Sequence, residues 1–166
     1  MNWHVIIEDI GPRLYRYFRA RFSPEESSDL VQETLIRLVR KANQGSFQPE
    51  RGTIAMYAFG IARYVTLEAK KSLRLAEPPA EWSRSESPPS DTSLDEKILR
   101  EQEAQRTRKA LNQLSEIQRE IIFLMIDDEL SLNDISVLLD LPVGTIKSHV
   151  HRAKEELRQI LEKEIL

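Results

Sequence analysis

Apolar residues recur at helical spacing along both ends of this chain, and the spacing predicts the elements. Leu14, Tyr17, Phe18 and Phe22 predict a helix from about Trp3 to Phe22, with a break at Gly11-Pro12. Ser23-Pro24-Glu25-Glu26 then reads as a new start. Ser23 stands at the N-cap, Pro24 at the first helical position and Glu26 at the capping-box position. That helix is expected to run to about Ala42, with Leu30, Leu35, Leu38 and Val39 as its buried stripe and Asp29, Gln32, Glu33 and Arg37 largely on another side. A loop is expected from Asn43 to Thr53, and a third helix from about Ile54 to Leu73.

The C-terminal part predicts about four more helices. One spans about Leu94 to Leu114 and is dense in charge. Ser115 caps the next, with Gln118 as its capping-box partner, and that helix reaches about Ile126. Asp127-Asp128-Glu129 is expected to be a solvated connection, with no further ligands in sequence to make it a metal site. Ser131, partnered by Asp134, caps a short helix through Leu139; Asp140-Leu141-Pro142 turns the chain; a last helix covers Val143 to about Glu162. The fold class is therefore all-α.

Composition divides the 166 residues into blocks. Residues 1–75 hold 12 Lys and Arg against 8 Asp and Glu, residues 76–96 hold 1 against 6, and residues 97–166 hold 11 against 13. Four of the eight prolines lie in the middle block, as two Pro-Pro pairs among serines and acids. Such a stretch is expected to be an extended, flexible acidic linker with a maximal reach of ~70 Å. Two small helical domains, 1–75 and 97–166, joined by the linker 76–96, are the expected organisation. The absence of cysteine excludes disulfides, zinc–cysteine sites and thiol catalysis and suits a reducing compartment. No stretch approaches the ~18 apolar residues of a membrane span, and Glu8 and Asp9 interrupt any signal-peptide layout. No nucleophile–base pair, metal motif or phosphate loop stands out, so catalysis, cofactors and metals are not expected.

The two helices flanking Asp140-Leu141-Pro142 form a helix-turn-helix pattern, whose second helix is the one that enters a major groove. Val143, Ile146, Val150, Ala153 and Leu157 make one apolar stripe of that second helix. Gly144, Thr145, Ser148, His151 and Arg152 project the other way, with Lys147 on the flank. Gly144 permits close approach, Thr145 and Ser148 can donate to phosphates or base edges, and Arg152 can fork onto guanine. Glu155 and Glu156 lie past the part that would enter the groove. His149 and His151 diverge by about 200° on a helix, so they are not an i, i+4 metal pair. A wet cationic helix face is the competing reading of this segment taken alone.

Ser131 to Leu161, and above all Pro-Val-Gly-Thr-Ile-Lys-Ser followed by His-Arg-Ala, resembles region 4 of bacterial RNA polymerase sigma factors of the extracytoplasmic-function (ECF) group. Asp29 to Arg40, "DLVQETLIRLVR", resembles sigma region 2.2, and Phe47 to Val65, "FQPERGTIAMYAFGIARYV", resembles regions 2.3 and 2.4. The resemblance implies a transcription initiation subunit that joins core polymerase, directs it to −10 and −35 promoter elements and helps open the DNA. It implies that Asp29, Gln32, Glu33 and Arg37 meet the coiled coil of the β′ subunit. Phe47, Arg51, Tyr57, Arg63, Tyr64, Lys70 and Lys71 would serve the −10 element by stacking and cationic guidance. Core packing is the competing role for Phe47 and Tyr57. Gly144, Thr145, Lys147, Ser148, His151 and Arg152 would serve the −35 element, beside a contact with the β flap. The acidic linker would suit the polymerase channel. A cytoplasmic location follows from the same resemblance, as does an anti-sigma factor as a further partner, although nothing in the sequence identifies one.

Departures from the pattern bear on promoter choice. The family often has tryptophan at the position of Tyr57, asparagine at that of Tyr64 and a basic residue at that of His149. Gly60 falls inside the third helix, at a cost of ~1 kcal/mol relative to alanine. Two alternatives use the same residues. A LuxR-like regulator shares "TIKSHV" but does not need the Asp29–Arg40 motif. A sigma-like decoy that sequesters an anti-sigma factor should have lost the cations that Lys147 and Arg152 retain.

Overall fold

The computed structural model describes residues 1–75 and 94–165. Seven α-helices carry the fold among the described residues, with no strand. They are α1 (Trp3–Arg19), α2 (Pro24–Asn43), α3 (Ile54–Leu75), α4 (Leu94–Gln113), α5 (Glu116–Leu124), α6 (Leu132–Leu139) and α7 (Val143–Ile165); a single 3-10 turn, Pro49–Arg51, precedes α3. The linker expected at 76–96 lies outside the described residues except for Leu94–Glu96, which open α4.

Helix starts follow the local chemistry. The three capping boxes form as read: Ser23 with Glu26, Ser115 with Gln118 and Ser131 with Asp134, each side chain bonded to the other's backbone N–H. Each box satisfies two donors that the first turn leaves unpaired. Asp140 ends α6 in the left-handed region, at φ 52°. The backbone N–H of Leu141 donates to the Ser136 carbonyl, and the Ser136 hydroxyl donates to the Leu141 carbonyl. This pair of bonds fixes the turn between α6 and α7.

Two expectations fail. α1 runs unbroken through Gly11-Pro12. Pro12 is exposed, so the carbonyl of Glu8 that loses its helical donor faces water on the outer side. The opposite side buries Ile10, Leu14, Tyr17 and Phe18, and this burial holds the helix together across the proline. The second failure is Asp127, expected in a solvated connection. It is only 4% exposed. Its carboxylate accepts from Arg13 Nε at 2.7 Å and Nη2 at 3.0 Å, and also from the backbone N–H groups of Glu129 and Leu130. A buried charge without such partners would cost several kcal/mol, so the pair is possible because each partner's remaining atoms are also engaged.

The first three helices pack on one another, α4, α5 and α6 each pack on α7, and α3 touches α6. Buried residues of both groups form one continuous cluster, from Leu14, Phe18, Leu38 and Phe59 through Ile121, Leu124, Ile135 and Ile146. Gly60 lies at the crossing: a Cβ there would stand 3.8 Å from Cδ2 of Leu138. That is ordinary van der Waals distance. Gly60→Ala should therefore keep the crossing, stabilise α3 by up to about 1 kcal/mol and raise Tm by about 2–4 °C. Thermal melting followed by circular dichroism checks this; a lower Tm would show that even one methyl is refused.

Candidate nucleic-acid and polymerase interface

α7 presents two faces. Ile146 and Ala153 are fully buried and Val143, Val150 and Leu157 half-buried, so the predicted stripe is the packed side. Gly144, Lys147, Ser148, His151 and Arg152 are exposed, and Thr145 is half-buried at their edge. The Ser148 hydroxyl donates to the Gly144 carbonyl at 3.0 Å, and Arg152 Nε reaches the Ser148 carbonyl at 3.4 Å. Among the described residues no carboxylate pairs with Lys147 or Arg152. The nearby acids are engaged elsewhere: Arg158 is gripped by Glu155 and Glu162, and Glu156 accepts from Gln118 of α5. The N-terminal half of α7 is left net positive, with the N-terminal dipole of the helix adding to it.

On α2, Asp29, Gln32 and Glu33 are exposed together. Arg37 is held by Glu33 of its own helix at 2.6 Å and by Glu68 of α3 at 2.7 Å. Hydrogen bonds to Glu68 and Glu33 raise the Arg37 pKa, and the same bond lowers that of Glu68. With Arg37 paired, Asp29 and Glu33 leave this part of the face acidic, and the exposed Arg40 closes it one turn beyond Ile36. Ile36 stands beside it, 53% exposed. Sequence reasoning passed over Ile36, although its position four residues after Gln32 and three after Glu33 places it on their face.

The residues around α3 divide. Phe47 and Tyr57 touch, with ring centroids 5.7 Å apart, and both are half-buried. Phe47 lines a cleft of about 580 Å³ together with Met1, Ile6, Pro49, Met56 and Asp134. Gly52, at φ 150°, turns the chain between the 3-10 segment and α3; a side chain there would be strained and would meet Met56 Sδ at 3.0 Å. Thr53 caps α3 by accepting from the Met56 N–H. Arg51, Tyr64 and Lys71 are exposed, Tyr64 by 71%, and Leu67 joins Tyr64 on the outer side as a residue that sequence reasoning missed. Arg63 and Lys70 face the other way. Arg63 donates to the Leu138 carbonyl at the end of α6. Lys70 is half-buried; burial, then the neighbouring Arg21 charge, lowers its pKa.

Among the described residues no cluster of three metal-ligating side chains occurs, and no helix is long and apolar enough to cross a membrane.

Residues 6–75 match the family description "Sigma-70 region 2", and residues 104–157 match "Sigma-70, region 4". The ECF RNA polymerase sigma factor EcfG of Rhodopseudomonas palustris (strain TIE-1) is 31% identical over 137 residues, which cover 82% of this chain and 72% of the relative. The ECF RNA polymerase sigma factor RpoE of Cereibacter sphaeroides is 28% identical over 134 residues, 81% of this chain and 71% of the relative. In solved structures, the sigma factor RpoE in complex with the anti-sigma factor NepR, from Bartonella quintana, superposes with a TM-score of 0.69 at 27% identity, covering 97% of both chains. With a region 2 match, a region 4 match and a relative of this similarity along most of its length, the chain belongs to the ECF group of RNA polymerase sigma factors, which direct promoter-specific transcription initiation.

Proposed function

We propose that residues 1–75 bind core polymerase and serve the −10 element, that residues 97–166 serve the −35 element, and that 76–96 connects them. The observation that carries the reading is the exposed Lys147, Ser148, His151 and Arg152 face of α7, whose two cations are held by no carboxylate among the described residues, set on a helix-turn-helix with a locked turn. Placed in a major groove, that face offers a guanidinium for guanine, a hydroxyl and an imidazole for base or phosphate, and a lysine for phosphate.

The acidic face of α2, Asp29, Gln32 and Glu33 with Ile36 at its side, is assigned to the β′ coiled coil. Acids and an amide suit a basic partner helix, and an exposed isoleucine suits the dry centre of such a contact. Arg37 acts there by holding Glu33 and Glu68 in place. Phe47, Tyr57 and Tyr64 are assigned to stacking on the opened −10 strand, and Arg51, Arg63, Lys70 and Lys71 to its phosphates. The second domain also contacts the β flap. Like the Bartonella RpoE, whose solved structure contains NepR, this factor takes an anti-sigma partner. It works in the cytoplasm and performs no catalysis; RNA synthesis belongs to the core enzyme.

Run-off transcription with purified core polymerase on genomic fragments tests the whole reading and yields the promoters. Discrete start sites that depend on this chain are expected; core alone giving the same products would refute it. With a mapped promoter, Lys147→Ala combined with Arg152→Ala should weaken binding roughly 10- to 100-fold and flatten the slope of log affinity against log salt by about 1–2. Affinity for core should stay unchanged, and equal loss of both would contradict the division of labour. Gln32→Ala combined with Glu33→Ala should weaken association with the isolated β′ coiled coil by about tenfold or more while leaving thermal stability intact. Unchanged affinity for β′ would remove the α2 assignment.

A further inference from the structure

The chain has no cysteine, so its three methionines are its only sulfur residues. They stand in different settings. Met1 is 70% exposed. Met125 follows the last turn of α5 and packs, partly buried, against the shared apolar cluster. Met56 lies in the first turn of α3, half-buried, and lines the surface cleft together with Phe47, Pro49 and Ile6. Its thioether lies along Gly52. A Cβ on that glycine would stand 3.0 Å from Sδ, 3.4 Å from Cε and 3.8 Å from Cβ of Met56. The sulfur therefore fills the room that the glycine leaves.

This contact supports the segment that carries Phe47 and Arg51. Gly52 turns the chain at φ 150°, directly after Arg51. Before it, Pro49–Arg51 forms a single 3-10 turn, closed by a long bond of 3.4 Å from the Gly52 N–H to the Pro49 carbonyl. So short a turn has little hydrogen bonding of its own, and packing must hold it. Met56 supplies that packing from the α3 side. A sulfoxide at Met56 disturbs it in either of two ways. Kept in place, its oxygen needs a donor in a cleft lined mainly by apolar side chains, whose charged groups, Glu50 and Asp134, are acceptors. Turned out to water, the side chain leaves Gly52 without its contact. Both displace Phe47 and Arg51.

We propose that Met56 is a site of oxidative modification by hydroperoxides, and that its sulfoxide weakens promoter reading without touching the attachment to core. The Met56 sulfur gives an electron pair to one oxygen of hydrogen peroxide as the O–O bond breaks. The departing hydroxide takes the proton of the transferred oxygen and leaves as water. The thioether is thereby oxidised by two electrons to the sulfoxide and the peroxide is reduced; a methionine sulfoxide reductase reverses the change. The proposal rests on the assignment of Phe47 and Arg51 to the −10 strand. The polymerase face belongs to α2, a different helix, and stays as it was.

The test treats the full chain with hydrogen peroxide, destroys the excess with catalase and joins the factor to untreated core. Peptide mass spectrometry reads which methionines have gained an oxygen, and run-off output is read as the ratio of treated to untreated factor. Oxidation of Met56 is expected to accompany a fall in output of about tenfold, the worth of one stacked base, at unchanged affinity for core. Met56→Leu, a volume-conserving swap, should keep its output through the treatment, while Met125→Leu should fall as the unaltered chain does. Met56→Gln sets a polar amide in the place of the sulfoxide and should show the loss without peroxide, at unchanged helix content by circular dichroism. That variant keeps the test open if Met56→Leu does not fold. Met56 left unoxidised when Met1 is fully converted would overturn the proposal. So would output that survives complete oxidation of Met56, an equal fall in Met56→Leu, or full output from Met56→Gln. Untreated factor that yields no run-off products would instead count against the sigma assignment.

Discussion

Glu120, on α5, gathers the phenol of Tyr17 on α1, the guanidinium of Arg21 in the connection that follows α1 and the guanidinium of Arg63 on α3. Each half of this protein is small, and domains of about 70 residues bury only a little over 60% of the surface their unfolded chains expose. Joining the halves extends one buried cluster through both. The joint is not simply more core, however. Arg13 with Asp127, Arg21 with Glu120 and the two rings around Arg21 place charge in the seam. A buried ion pair contributes little net stability against apolar packing, yet removing one member costs several kcal/mol. Such a seam specifies how the halves meet without binding them as tightly as an apolar core would.

The same seam decides which polar faces stay open. α2 and α7 carry their polar residues outward, away from the joint. α3 has two polar edges, and only the Tyr64 and Lys71 edge is open in this arrangement. Gly60, a weak residue for a helix, is the place where α3 and α6 come close enough for Leu138 to fit.

Much of this was legible in the sequence. The three capping boxes, the stripe of α7 and the exposed side of α2 follow from local rules, because a cap needs only residues three apart and a stripe only its own helix. The seam was not legible. Arg13 and Asp127 are 114 residues apart, and nothing near either one signals a buried partner; an acid among Asp127-Asp128-Glu129 looks like any solvated turn. Pro12 misled because its cost depends on which way the freed carbonyl faces, and that is set by tertiary packing. For the candidate site, residue types and spacing single out the aromatic and basic residues of α3, but which edge of the helix the other half covers is a property of the assembled chain alone. Ile36 and Leu67 were missed for the related reason that an apolar residue at helical spacing is read as core until its exposure is known.

The central claim is that the two halves of the free factor rest against each other. Small-angle X-ray scattering of the free, unlabelled chain tests it most directly. Closed halves predict a radius of gyration of about 15–19 Å, near the value for a compact chain of this length. A value of about 25 Å or more at low protein concentration would mean that the halves stand apart before any partner arrives, and would contradict the account.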